Sequence, residues 1–153
     1  MKTKLAVGLV LILMVTLGFG CLLPADGAMT GGGFLENCQG DKATFGFNVK
    51  GTQVGEGDDY DVKGQFQLVD HAEKLRIHGT FCGFSAISQI AWGECTINGE
   101  GPFDFTLYAF DAGEPGIFDY LSVRIEISGP DLKYKGLLDG GNIQVRGDLV
   151  NFL

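Results

Sequence analysis

The sequence predicts an all-β domain, an antiparallel meander of about eight or nine strands that forms a sandwich or a barrel. Three observations predict it. From residue 43 onward, apolar and polar residues alternate with a period of two, which is typical of strands with one face buried and one face in water. Short stretches rich in glycine, asparagine and aspartate separate the alternating segments. No segment after residue 28 has a sustained helical period, although residues 84–90 are ambiguous.

Six strands can be assigned in order from their alternating residues. The residues of the inward phase are Ala43, Phe45, Phe47 and Val49; Val62, Phe66 and Leu68; Leu75, Ile77 and Phe81; Phe103, Phe105, Leu107 and Ala109; Leu121, Val123, Ile125 and Ile127; and Ile143, Val145 and Leu149. Mostly polar residues occupy the intervening positions. The alternation favours an antiparallel sheet, because parallel strands are buried on both faces and read as continuous apolar runs.

The connections between these strands are short and contain residues that form tight turns. They lie at residues 55–59, 70–73, 98–101, 128–131 and 139–142. Four glycines fall in the inward phase of strands: Gly64, Gly79, Gly136 and Gly147. Such glycines either mark the bends and close approaches of a closing sheet, or leave room for the phenylalanines, of which the chain has 12.

The N-terminus has the pattern of a signal peptide. Lys2 and Lys4 precede an uncharged, apolar run at residues 5–19, and small residues follow. The run is shorter than the roughly 20 apolar residues of a membrane-spanning helix. We therefore expect a signal-peptide helix at residues 1–27, followed by a single all-β domain at residues 28–153. A secreted or cell-envelope location follows from this prediction.

The cleavage site has three interpretations. The stretch Gly18-Phe19-Gly20-Cys21 is similar to the lipobox of bacterial lipoproteins, in which the cysteine is lipidated, although Gly18 stands where that motif has leucine. Lipidation of Cys21, cleavage after Gly20 without lipidation, and cleavage after Gly27 all stay open. A single acyl chain on Cys21 would give only marginal membrane binding.

The charge of the chain limits its partners. The net charge is −8 at pH 7, and the loss of Lys2 and Lys4 with the signal peptide makes the mature chain still more acidic. Such a domain is a poor candidate for binding nucleic acid or an anionic membrane surface. We therefore expect no nucleic-acid partner, and membrane contact only through the signal segment or a lipid anchor. The sequence assigns no specific partner; an extracellular or envelope protein and a glycan both stay open.

Three cysteines, Cys38, Cys82 and Cys95, lie in the mature part of the chain. An exported protein meets an oxidising environment, in which pairing is expected. Cys82 and Cys95 flank a segment that can double back, which favours a disulfide between them. The pairs Cys38–Cys82 and Cys38–Cys95 stay open. Neither a CxxC motif nor a histidine cluster indicates a zinc site.

Residues 110–120, FDAGEPGIFDY, contain three carboxylates: Asp111, Glu114 and Asp119. Pro115 and Gly116 fit the two central positions of a type II turn. The carboxylates could converge at one end of the sheet and bind calcium, which takes six to eight oxygen ligands. Alternatively, they surround a structural turn and no cofactor is bound. The spacing lacks the ligand order of an EF-hand loop, which favours the turn.

Five phrases occur together in one known family. They are MTGGG at 29–33, KATFGFNVKG at 42–51, GQFQLVDH at 64–71, the run from TINGEGPFDF to DYLSVRI at 96–125, and LDGGNIQVR at 138–146. In these phrases the chain resembles the small exported prokaryotic β-domain labelled "post-COAP-1". The resemblance implies an exported single domain and no established activity.

The remaining functional features are exposed rings and missing motifs. Tyr108 and Tyr120 fall on the outward phase, where rings either pair across strands or stack on a partner, and pairing is favoured. The chain has no GxSxG nucleophile elbow, no phosphate-binding loop and no metal-spaced histidines. These observations favour a non-catalytic exported module with a structural or binding role. A small β-barrel for a hydrophobic ligand comes second, and a small hydrolase third.

Overall fold

The structure is a computed structural model, and it describes residues 26–36, 41–54, 60–85 and 87–147. This part of the chain contains nine β-strands and no helix, which confirms the all-β prediction. The strands are β1 (Gly27–Glu36), β2 (Lys42–Gln53), β3 (Tyr60–Asp70), β4 (Leu75–Ser85), β5 (Ile90–Ile97), β6 (Glu100–Phe110), β7 (Tyr120–Ile125), β8 (Leu132–Leu137) and β9 (Gly140–Gly147). The predicted signal-peptide helix lies outside the described residues, apart from its last two positions. Within the described ranges, no helix has the length and apolar character that crossing a membrane requires.

All nine strands belong to one antiparallel sheet that curls into a half-barrel. The strand order is β8-β7-β6-β5-β4-β3-β2-β1-β9. The first eight strands therefore form the predicted meander, in which each strand pairs with the next. β1 begins at Gly27, one residue before the predicted start of the domain, and pairs with both β2 and β9.

The last two strands bring the edges of the sheet together. β8 pairs with β7 at one edge, whereas β9 pairs with β1 at the other, and only Leu138 and Asp139 separate the two strands. Because every pairing is antiparallel, β8 and β9 run in the same sense. They form one bent ribbon, whose first half lies along β7 and whose second half lies along β1. Asp139 N donates a hydrogen bond to the Phe34 carbonyl oxygen at 3.1 Å and holds the bend against β1.

The inward phase of the strands forms the core, as the alternation predicts. Phe45 and Phe105 are buried, and Val123 is completely so. The ring of Phe105 stacks on that of Phe66 and meets that of Phe81 at a tilt, with centroids 5.2 Å apart in both pairs. Aromatic side chains and aliphatic side chains such as Leu68 thus fill the interior of the half-barrel.

Two of the inward glycines have different roles. A Cβ on Gly79 would lie 2.7 Å from the ring of Phe105, so this glycine leaves room for a phenylalanine. A Cβ on Gly64 would overlap the Asn48 carbonyl oxygen of β2, so this glycine allows a close backbone approach. Both predicted interpretations therefore hold, each at its own position.

The structure confirms part of the predicted turns. Asn98 and Gly99 have φ angles of 51° and 86° and form a two-residue hairpin turn between β5 and β6, the left-handed conformation that an Asn-Gly pair favours. In the ambiguous stretch at residues 84–90, β4 ends at Ser85 and β5 begins at Ile90, with a turn at residues 87–89. The described part of that stretch contains no helix.

Candidate functional site

The acidic loop at residues 111–119 joins β6 to β7. Gly116 N donates a hydrogen bond to the Gly113 carbonyl oxygen at 3.0 Å, so the central residues of the turn are Glu114 and Pro115. The turn is therefore centred one residue earlier than the predicted type II turn. The peptide bond between Glu114 and Pro115 is cis, which is the geometry of a type VI turn.

Asp119 is completely buried, and it ties this loop to the last strand. Its Oδ2 accepts a hydrogen bond from Ile143 N of β9 at 2.7 Å, and its Oδ1 accepts one from Ala112 N at 2.9 Å. Its backbone carbonyl oxygen accepts a hydrogen bond from Leu138 N at 3.0 Å. Through these bonds Asp119 links the loop to β9 and to Leu138, the residue after β8.

The other two carboxylates of the loop also bond to β9. Asp111 Oδ2 accepts a hydrogen bond from Val145 N at 3.0 Å, while its Oδ1 accepts one from Gly113 N at 2.8 Å. Glu114 Oε1 accepts hydrogen bonds from Asn142 Nδ2 at 2.9 Å and from Gln144 Nε2 at 3.3 Å. The three carboxylates therefore contact successive positions along the same strand.

These contacts cover an edge of the sheet along which none of the nine described strands lies. In an antiparallel sheet the backbone N–H groups of alternate residues point to opposite sides of a strand. Ile143 and Val145 direct theirs away from β1, toward the loop. The carboxylates of the loop thus take the place of the carbonyl groups of a neighbouring strand. We call Asp111, Glu114 and Asp119, with their donors on β9, the acidic clasp.

The acidic clasp differs from a cation site. Among the described residues, no group of three or more histidine, cysteine, aspartate or glutamate side chains is placed to hold a metal ion. A calcium site needs oxygens that converge on one point. Asp111, Glu114 and Asp119 instead direct oxygens toward separate N–H donors along β9. Calcium binding by these three side chains stays a prediction.

The predicted disulfide between Cys82 and Cys95 is not formed, and both residues are free thiols. Cys95 is buried on the inner face of β5, opposite Gly79, whereas Cys82 is exposed on the outer face of β4. Side chains on opposite faces of a sheet point apart and cannot bridge. Burial, with a smaller contribution from the charge of Asp104, raises the pKa of the Cys95 thiol to about 11. Cys21 and Cys38 lie outside the described residues.

A second side-chain contact joins the edge strand β8 to the end of β3. The Tyr134 hydroxyl donates a hydrogen bond to Asp70 Oδ2 at 3.1 Å, and Asp70 Oδ1 accepts hydrogen bonds from Ala72 N and Glu73 N at 3.0 Å each. Burial, followed by the negative charge of Asp70, raises the pKa of Tyr134 above its ordinary value. The sequence did not indicate this pair, because β8 was not among the assigned strands.

The outer face of β5 to β8 carries a group of large apolar side chains, which we call the aromatic face. It consists of Ile90, Trp92, Tyr108, Phe110, Tyr120 and Leu137. Trp92 is 45% exposed, Phe110 42% and Leu137 55%. The rings of Tyr108 and Tyr120 lie 6.2 Å apart, which confirms the predicted pairing across strands. The sequence pattern did not place Trp92 and Leu137 beside these two tyrosines, because β5 and β8 were not among the predicted strands.

Comparison with protein-family models, with curated proteins and with solved structures finds no match to this chain. The resemblance to the post-COAP-1 domain therefore stays a prediction carried by the five sequence phrases. What the protein does must be inferred from its own geometry.

Proposed function

We propose that this protein is a non-catalytic exported β-domain, secreted or held at the cell envelope, that acts by surface contact with an extracellular or envelope partner. The aromatic face is the observation that carries this proposal. Soluble monomers rarely expose contiguous apolar patches larger than a few hundred Å2, and larger patches mark interaction sites. Trp92, Phe110 and Leu137 are all more than 40% exposed on this one face.

The filled interior supports a role on the outside. Among the inward residues, Phe66, Leu68, Ile77 and Leu107 have at most 1% of their surface exposed. The only described thiol on the inner face, Cys95, is protonated at neutral pH because its pKa is raised to about 11. A thiol in that state is a poor nucleophile. These observations favour contact over catalysis.

Export is supported by the sequence alone, through the basic start, the apolar run and the small residues that follow. The net charge of the domain is negative, so its overall electrostatic field repels nucleic acid and anionic membrane surfaces. Lipidation of Cys21, like export, is proposed from the sequence alone.

A pull-down tests the proposed function. The exported protein is immobilised and incubated with the envelope fraction of the organism that makes it. A variant with Phe110→Ser and Leu137→Ser should retain about tenfold less partner, since both residues contribute exposed apolar area at the proposed contact. Val54→Ser is the matched control, because Val54 is 54% exposed at the end of β2, away from this face. Equal retention by all three proteins, each with a native circular dichroism spectrum, would refute the proposal.

One observation favours the second candidate, a binder of small apolar ligands. A hollow of about 560 Å3 lies where β4, β6 and β8 begin and β5 ends. Its apolar lining residues are all half-buried: Leu75, Ile97, Phe103, Ile127 and Leu132. The volume lies within the range of small-molecule pockets. Enhanced fluorescence of anilinonaphthalene sulfonate with the wild type, lost in Ile127→Asp, would support this candidate. No enhancement with the folded wild type would eliminate it.

A further inference from the structure

Three rings of the aromatic face form a diagonal across three strands. Trp92 of β5 lies opposite Thr106 of β6, two residues from Tyr108, and Tyr108 lies opposite Ser122 of β7, two residues from Tyr120. Each ring is therefore one strand and two residues from the next, a diagonal spacing of roughly 7–8 Å between backbone positions. The rings of Tyr108 and Tyr120 are inclined to each other by 57°, so the diagonal is an extended series of rings and not a plane, and its length fits a polymer better than a small molecule.

The first ring of the diagonal presents one of its faces to solvent. A Cβ on Gly83 would overlap three atoms of the Trp92 indole, so the indole lies directly over the backbone of that glycine. One ring face covers β4, and the other contributes to the 45% exposure of the side chain. An exposed indole face can stack on the apolar face of another ring.

Cations flank the diagonal, although the chain as a whole is acidic. Lys135 lies opposite Ser122, and Lys133 lies opposite Arg124, both on the exposed side of β8. Neither lysine forms an ion pair with any residue in the described part of the chain. Arg124, by contrast, is held by Asp131 at 2.7 Å and by Glu126 at 3.7 Å.

Carboxylates are missing from the outward positions around the rings. Three neighbouring rows across β5 to β8 hold the apolar residues of the aromatic face together with Thr106, Ser122, Arg124, Lys133 and Lys135. Carboxylates begin in the following row, at Glu94, Asp104 and Glu126, and on the opposite side in the loop that follows Phe110, at Asp111 and Glu114. The row of Glu94 lies about 7 Å farther along the strands, within the Debye length of about 8 Å at physiological salt, so the attraction of this face for an anion depends on direct contacts with Lys133 and Lys135.

We propose that the aromatic face binds a carboxylated polysaccharide, a chain of uronate sugars. This inference rests on the proposed function. The rings of Trp92, Tyr108 and Tyr120 stack on the apolar faces of successive sugar rings. Lys133 and Lys135 donate charge-assisted hydrogen bonds to the sugar carboxylates. The hydroxyl groups of this face, which both donate and accept, bond to sugar hydroxyls.

Other anionic partners match the face less well. An acidic peptide supplies carboxylates but no series of rings to stack on the diagonal. Nucleic acid has one phosphate for every nucleotide and is held mainly by cations, whereas this face offers two unpaired lysines in a chain of net charge −8. Of these three polymers, the uronate chain combines the apolar faces of sugar rings with carboxylates spaced along the chain.

The ligand experiment uses Trp92, the single tryptophan of the chain, as its reporter. The exported protein is titrated with polygalacturonate and with alginate while its intrinsic fluorescence is followed. Fully methyl-esterified polygalacturonate supplies the sugar rings without the charge, and polyglutamate supplies the charge without the sugar rings. We expect saturable changes with the two uronate polymers and affinity lower by about tenfold or more for both comparison polymers, since each lacks one class of contact.

Variants assign the binding to the face. Lys133→Gln combined with Lys135→Gln should weaken polygalacturonate binding by about tenfold or more and flatten its dependence on salt. Tyr108→Ser should weaken the binding of both uronate polymers. Lys50→Gln, which removes an exposed lysine from the outward phase of β2, is the matched control and should leave the titration unchanged.

The outcomes separate this inference from the proposed function. If polyglutamate binds as tightly as the uronate polymers, or if the methyl ester binds as tightly as the acid, the carboxylated-polysaccharide inference is wrong. Absence of binding to both uronate polymers also overturns it. In each of these cases, retention of an envelope partner that depends on Phe110 and Leu137 would leave the proposed function standing.

Discussion

The acidic clasp makes a sharp prediction for the substitution Asp119→Asn. The amide has nearly the shape of the carboxylate, yet only its oxygen accepts hydrogen bonds. The two buried oxygens of Asp119 accept bonds from Ile143 N at 2.7 Å and Ala112 N at 2.9 Å. In the variant, one of these N–H groups must face the amide NH2, donor against donor. One charge-assisted hydrogen bond is lost, and one buried donor has no acceptor.

The expected cost follows from these two effects. A hydrogen bond to a charged group contributes about 1.5–3 kcal/mol, and an unsatisfied buried donor costs about 1–3 kcal/mol, the two overlapping in part. The free energy of unfolding should therefore fall by about 2–4 kcal/mol. For a domain of this size the midpoint of thermal unfolding should fall by roughly 8–16 °C. A loss of this size is a large fraction of the about 5–15 kcal/mol that stabilises a typical domain.

Urea unfolding followed by circular dichroism, with calorimetry for the thermal midpoint, measures the effect. Asp104→Asn is the matched control, because it makes the same chemical change at an exposed position of β6. It should change the free energy of unfolding by less than about 0.5 kcal/mol. If Asp119→Asn is no more destabilising than Asp104→Asn, the carboxylate does not hold the loop to β9, and the reasoning fails.

Three further predictions follow from the packing and the pKa shifts. Gly64→Ala should lower the free energy of unfolding, measured in urea, by about 1–3 kcal/mol, because the new Cβ would overlap the backbone of β2. Gly46→Ala is the control: its Cβ would have no atom within 4 Å, so the same measurement should show a neutral or stabilising effect. The raised pKa values of Cys95 and Tyr134 mean that the folded state holds these protons more tightly, so stability should fall as the pH rises from 9.0 toward about 11 and beyond. Tyr134→Phe should flatten the upper part of that curve, and an identical curve would exclude Tyr134 as a cause. Iodoacetamide should alkylate Cys82 in the native protein and Cys95 only after unfolding, as read by peptide mass; equal rates would contradict the burial of Cys95.

The alternation of the sequence predicted most of the strands because burial on one face imposes a period of two. It could not predict β1, in which Gly31, Gly32 and Gly33 interrupt the pattern. A Cβ at Gly31 would lie 2.5 Å from the ring of Phe47, its partner on β2, and this cross-strand contact is not visible in the local pattern. Nor could the period indicate that β9 leaves β8 and pairs with β1, because this pairing depends on how far the whole sheet curls.

The role of the acidic loop was hidden for a similar reason. Asp119 bonds to Ile143 and Asp111 to Val145, partners 24 and 34 positions away in the sequence. The sequence shows the carboxylates of this loop, but only the folded sheet shows that the N–H groups of β9 lie within hydrogen-bond distance of them. The exposed position of Cys82, by contrast, could be predicted from the sequence. It falls on the outward phase of a strand whose inward residues Ile77 and Phe81 were assigned correctly.

Amide hydrogen exchange at Ile143 and Val145 tests most directly whether the acidic clasp closes this edge of the half-barrel. Both N–H groups lie on the side of β9 away from β1, where the described part of the chain places no strand, and carboxylates cover them. We predict protection close to that of Gln144, whose N–H group points toward β1, and loss of that protection at Ile143 in Asp119→Asn. Rapid exchange at Ile143 and Val145 in the wild type, with Gln144 protected, would show an open edge and contradict the account.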